Sequence, residues 1–181
     1  MRPKSQWPLP GGWIDRSTEQ VLRVTIVERS YCDLGISERA SAPNRSGRID
    51  AYLKRAGVSD DIIASGRGYW CASWAGAVWD DAGAAVPPAY YNCDSWVAWG
   101  KKFALWKTTP VIGAAVLYGI PGDATHIGIV VRIPKPDYPY LYSIEGNTSI
   151  NGYSGNGLLC GFKEVNRPRV LGYVWPVLAS S

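Results

Sequence analysis

Near residue 110 the chain changes from helical to strand-like spacing, and this division constrains its fold more than any other feature. Downstream, residues 111–118, 126–133, 140–144 and 170–176 are short runs rich in Val, Ile and Tyr. Turn signals separate them at Pro121-Gly122, Pro134 to Pro136, Gly146-Asn147, Asn151-Gly152 and Asn156-Gly157, as expected of an antiparallel sheet. Upstream, Ile49, Tyr52 and Leu53 form an apolar stripe that Gly57 can close. The alanines and the spacing of Trp74, Val78 and Trp79 predict a helix over 72–82, ended by Gly83 and Pro87-Pro88. Ser17 or Thr18 can cap an earlier helix with Val24, Val27, Tyr31 and Leu34 near one face, although its β-branched content also suits a strand. Helices first and a sheet after is an α+β order.

A chain of 181 residues, 46% hydrophobic and 19% charged, can bury one substantial core and is short for two. Residues 1–18, rich in Pro, Gly and polar side chains, read as an arm, and 19–181 as the domain. The 20 Gly, 13 Pro and 22 aromatics (nine Trp, eleven Tyr, two Phe) favour short strands and turns over a helical bundle. No internal repeat or low-complexity tract interrupts the domain.

The net charge of +4 has no basic run longer than Lys101-Lys102 and no nucleic-acid reader motif, so ordinary solubility explains it and nucleic acid is not expected as a partner. No segment has the length and apolarity for stable membrane insertion. The N-terminus has basic residues without the apolar stretch of a signal peptide, so synthesis in the cytoplasm is expected. Cys32, Cys71, Cys93 and Cys160 are too dispersed for a zinc ribbon and contain no Cys-x-x-Cys pair. Buried free thiols are the default, with one disulfide among Cys32, Cys93 and Cys160 open to an oxidising compartment.

Two residues point to chemistry. Cys71, in Trp70-Cys71-Ala72, stands where a helix begins, so unpaired N–H groups and the positive end of the helix dipole favour its thiolate. Its own N–H is placed to hold a developing oxyanion. His126 is the single histidine of the chain, hence the one imidazole available as its base. In a strand, Ile127, Ile129 and Val131 share one face, while His126, Gly128 and Val130 share the other. Gly128 then leaves space beside the imidazole. Glu145 and Asn147, at i and i+2, can present a carboxylate and an amide on one face to hold the imidazole tautomer, Glu145 first and Asn147 second.

These pieces, in this order, resemble the CHAP family of cysteine, histidine-dependent amidohydrolases and peptidases, which are papain-like peptidoglycan hydrolases. The resembling residues are Trp70-Cys71-Ala72, Ser95-Trp96 with Trp99-Gly100, residues 113–118, His126 to Val131, and Glu145-Gly146-Asn147. Leu34 to Glu38 and Asn44 to Leu53 look like the helical lead-in of phage and bacterial members, so the likeness covers most of residues 20–176.

The resemblance implies a papain-like fold with N-terminal helices packed on a small antiparallel sheet. It also implies catalysis by Cys71, His126, Glu145 and Asn147, with no cofactor. The chain lacks the Asp-x-Asp cluster that precedes the cysteine in calcium-binding members, which counts against a structural calcium. Tyr69, Trp74 and Trp96, with Tyr90, Tyr91 and Trp99, are candidates to line a substrate groove, although packing is the commoner use of such side chains.

The implied partner is bacterial peptidoglycan and the implied reaction is cleavage of a wall amide bond, as an N-acetylmuramoyl-L-alanine amidase or a peptide endopeptidase. A monomeric phage endolysin, acting in the periplasm or wall after release, fits this reading. So does an amidase toxin delivered between bacteria. A wall-binding or virion module without catalysis, and a cysteine hydrolase of protein amides, are the competing classes.

Overall fold

The computed structural model describes residues 17–135, 140–149, 157–166 and 170–179. The arm expected at 1–18 lies outside the described residues up to position 16, as does the Asn151-Gly152 turn. Among the described residues, five helices precede a six-stranded sheet, a mixed α+β order. The helices are α1 (Thr18–Cys32), α2 (Gly47–Arg55), α3 (Asp60–Ala64), α4 (Cys71–Asp81) and α5 (Cys93–Lys102). The strands are β1 (Trp106–Lys107), β2 (Ala115–Ile120), β3 (Asp123–Arg132), β4 (Tyr140–Thr148), β5 (Leu159–Asn166) and β6 (Val170–Val174). They lie in the order β1-β6-β2-β3-β4-β5, and every neighbouring pair is antiparallel.

The helices start where their caps dictate. Ser17, Ser46 and Asn92 accept first-turn N–H groups of α1, α2 and α5, which removes unpaired donors at each start. Gly57 and Gly83 follow α2 and α4 with φ of 84°, a backbone region that glycine enters without strain. In α1 the buried stripe is Leu22, Ile26 and Ser30, not the expected one through Val24, Val27, Tyr31 and Leu34, of which Tyr31 and Leu34 are exposed. Ser30 can occupy a core position because its hydroxyl donates to the Ile26 carbonyl at 2.8 Å. A search for apolar side chains alone passes over it.

Helix α4 is the centre of the domain. Every residue from Cys71 to Trp79 is buried, as in a helix covered on all sides. It packs against α1, α2, β3 and β4. Gly76 makes the fit against the loop before α5 possible, because a Cβ there would overlap the Tyr90 ring. Trp79 meets Trp96 edge-on with ring centroids 4.9 Å apart.

On the sheet, Ile127, Ile129 and Val131 face this helical core, and Val130 faces a smaller core with Val116, Leu141, Val165 and Tyr173. The alternation read from the sequence therefore holds along β3, with apolar packing on both faces. Strand β5 and helices α3 and α5 go beyond the elements read from sequence. The four cysteines are free, Cys32 exposed and the other three buried. No helix among the described residues is long and apolar enough to cross a membrane.

Gly76→Ala is expected to destabilise the fold by about 1–3 kcal/mol, because the added methyl must displace the Tyr90 ring in a close-packed interior. Urea unfolding of the variant against the parent chain measures the difference.

Candidate active site

The site is assembled where the first turn of α4 meets strands β2, β3 and β4. Cys71 is the first residue of α4, and neither a side-chain cap nor an acidic residue occupies that helix start. Its first N–H groups have no carbonyl within the helix to bond. The Cys71 thiol is held well below its ordinary value by the adjacent Cys93 thiol, by His126 and by the Ala72 N–H, which together outweigh burial. These influences favour the thiolate. Although 55 positions separate them in the chain, Cys71 and His126 each favour the other's charged form.

The imidazole is held from its other side. His126 Nε2 lies 3.0 Å from Glu145 Oε2, which leaves the buried Nδ1 as the nitrogen available to the thiol. Burial opposes the charged ring, but Cys71 and Glu145 outweigh it and raise His126 to about 10. Both shifts run in the direction that favours thiolate and imidazolium over the neutral pair.

Glu145, only 4% exposed, is the hub. Its Oε1 accepts from the Tyr118 hydroxyl at 2.7 Å and from the Ser143 hydroxyl at 2.7 Å. Its Oε2 accepts from Thr148 at 3.3 Å in addition to facing His126. Burial alone would favour the neutral acid, yet His126, Ser143 and Tyr118 together lower Glu145 to about 2. Tyr118 also stacks on the imidazole, with centroids 5.7 Å apart, and so restrains the plane of the ring.

Backbone geometry makes room for this hub. Gly128 stands beside Glu145, and a Cβ there would lie 2.6 Å from Glu145 Cγ. The space expected beside the imidazole is thus filled by the carboxylate. Asn147 takes a φ of 52°, in the left-handed region that asparagine tolerates, and the β4–β5 register shifts between Glu145 and Thr148. This bulge breaks the i, i+2 alternation. It brings Thr148 to the carboxylate and leaves the Asn147 amide buried without a hydrogen-bond partner, so Glu145 alone of the pair holds the imidazole.

The remaining candidates separate by exposure. Tyr69, two residues before Cys71, is 61% exposed and can touch a substrate. Trp74 and Trp96 are fully buried, and their indole N–H groups donate to Asp33 and to the Tyr90 carbonyl. These two indoles therefore have no surface to offer a groove. Tyr118, Ser143, Thr148 and Cys93 are site residues that sequence reasoning missed. Ser143 was within reach, because it shares the Glu145 face at i−2, and Tyr118 pairs with His126 across the β2–β3 hairpin.

Among the described residues, no group of three His, Cys, Asp or Glu side chains is placed to hold a metal ion. The arrangement can perform acyl transfer through a thiolate, with a proton donor held opposite. No protein-family model, curated protein or solved structure matches the chain.

With a single histidine, the titration of His126 can be followed by NMR without assignment. Its midpoint in the tag-free chain is expected near pH 10. Glu145→Gln and Cys71→Ala should each lower it, since each removes a group that stabilises the protonated ring. A midpoint near the ordinary value of about 6.5 would remove the ion-pair description.

Proposed function

We propose that the chain is a cysteine peptidoglycan hydrolase that cleaves an amide bond of the bacterial cell wall. The observation that carries this reading is the alignment of Cys71 at a helix start, His126 and Glu145, in the order and roles of a thiol hydrolase triad. The resemblance to the CHAP family supplies the substrate class, and helices laid on an antiparallel sheet accord with the papain-like arrangement of that family.

The Cys71 thiolate attacks the amide carbonyl, and the oxyanion that forms lies toward the unpaired N–H groups of the α4 first turn. His126, already protonated, donates from Nδ1 to the leaving amine, which departs as the thioester forms. The now neutral ring takes a proton from water, hydroxide adds to the thioester, and Cys71 leaves as thiolate beside the restored imidazolium. Glu145 does not exchange a proton in this cycle. It holds the imidazole by Nε2 and stabilises its positive form. Exposed Tyr69 supplies an aromatic surface against which a sugar or peptide of the wall can lie.

Incubation of the protein with purified sacculi from diverse walls, followed by mass spectrometry of the released fragments, tests the reading and identifies the bond. Soluble fragments with new amine termini are expected. Their absence from every wall sinks the proposal, and turnover of unstructured polypeptides in their place would favour a hydrolase of protein amides.

Cys71→Ala and His126→Ala should each reduce turnover by about 10⁴-fold with folding intact, and Glu145→Ala by less. Near-normal turnover by Cys71→Ser would contradict a thiolate nucleophile. Gly128→Ala should also lower turnover, since its methyl pushes Glu145 from the imidazole. Initial rates with circular dichroism of each variant separate lost chemistry from lost structure.

A further inference from the structure

Tyr118 takes no part in the acyl-transfer steps, yet it touches both the base and the carboxylate that holds it. Its hydroxyl donates to Glu145 Oε1 at 2.7 Å, and its ring stacks on the His126 imidazole with centroids 5.7 Å apart and planes inclined by 29°. Strand register places it there, because Tyr118 and His126 are cross-strand partners on β2 and β3. The sheet is irregular on both sides of this residue. Toward β3 the pairing passes over Thr125, between His126 and Ala124, and toward β6 it passes over Leu171, between Gly172 and Val170. Irregularities of this kind re-aim side chains at a sheet. Gly119 permits the first of them, with a φ of 133° and a Cβ position only 2.2 Å from the Asp123 carbonyl oxygen.

We propose that Tyr118 is a positioning residue for the hydrolysis, its hydroxyl and ring together locking the Glu145 carboxylate and the His126 imidazole in one relative orientation. Its effect on turnover rests on the hydrolase reading, whereas its hold on the imidazole does not.

The two oxygens of Glu145 are used differently. Oε1 receives the hydroxyls of Tyr118 and Ser143, each at 2.7 Å. A hydroxyl has one hydrogen, so the 3.4 Å between those two hydroxyl oxygens marks their convergence on Oε1 and not a bond between them. With Oε1 occupied, Oε2 is left to His126 Nε2 at 3.0 Å, and Thr148 is farther from it at 3.3 Å. Ser143 and Thr148 share β4 with Glu145 and move with it, whereas Tyr118 belongs to β2, on the far side of β3. The Tyr118 bond therefore ties the carboxylate across the strand that carries His126. At that strand Gly128 has no Cβ, which would lie 3.3 Å from Oε1 and crowd it. Burial and the Glu145 charge raise the Tyr118 hydroxyl well above its ordinary value, so it stays protonated and remains a donor.

Tyr118→Phe keeps the ring and removes the hydroxyl, and Tyr118→Leu removes both. The tag-free, full-length chain is read in two ways: kcat and KM on soluble wall fragments, and NMR of the Nε2 proton of the single imidazole. In the parent that proton, held by Glu145, should be visible and slow to exchange with water. Tyr118→Phe is expected to speed its exchange and to lower kcat about tenfold, with KM within about twofold, because Tyr118 does not bind substrate. Tyr118→Leu should lose the signal and lower kcat about 10²-fold.

Parental kcat in both variants, parental exchange of the Nε2 proton in both, or a rise in KM in place of the fall in kcat would overturn the inference. So would the absence of that proton signal from the parent. If Tyr118→Leu does not fold, Tyr118→Phe decides by the same measures. In a chain that hydrolyses no wall, faster exchange in Tyr118→Phe would leave Tyr118 as the residue that holds the imidazole and sink the hydrolase reading alone.

Discussion

A charged carboxylate in a protein interior has several kcal/mol of lost hydration to recover, and the site is organised around recovering it for Glu145. Four groups face that carboxylate: Tyr118 from β2, His126 from β3, and Ser143 and Thr148 from β4 itself. Three adjacent strands must hold their register for the donors to converge. The antiparallel pairing of Tyr118 with His126, the missing side chain at Gly128 and the bulge at Asn147 are the backbone features that permit it. The same carboxylate orients the imidazole and keeps it charged, so the cost of burial and the chemistry are met by one set of contacts.

The second half of the site comes from a helix, and the two halves answer to different physics. The sheet supplies fixed hydrogen bonds around an anion. Helix α4 supplies a field, through the unpaired N–H groups at its start, acting on a sulfur that must carry charge. Their relative position is set by apolar contact. Trp70 and Trp74 lie directly over Gly146, where a Cβ would fall 2.9 Å from the Trp70 ring and 3.0 Å from Trp74 Cβ. The tryptophans that flank the nucleophile are thus the means by which α4 is seated on β4, next to the carboxylate that faces His126.

Much of this was legible in the sequence, for identifiable reasons. Periodicity and glycine stops located α2 and α4 because their buried faces are apolar and their ends need left-handed residues. Alternation placed Ile127, Ile129 and Val131 on the core side of β3. The same rules failed where a local feature broke them. Ser30 hides the core stripe of α1 by bonding its own helix, and the bulge at Asn147 cancels the i, i+2 relation that had paired it with Glu145. Trp74 and Trp96 were read as groove candidates because an aromatic side chain has the same sequence signature in a core as on a binding surface.

By itself the sequence determined which groups can do chemistry here: one imidazole, a cysteine at a helix start, and a carboxylate after a strand, since those are properties of residue type and local spacing. Only the tertiary structure decided which ring nitrogen the carboxylate holds and which hydroxyls keep Glu145 ionised. The physical reason is range. Helix starts and strand faces arise from neighbours a few residues apart, whereas protonation and hydrogen bonding in a buried site depend on groups that meet through strand register and helix packing, far apart along the chain.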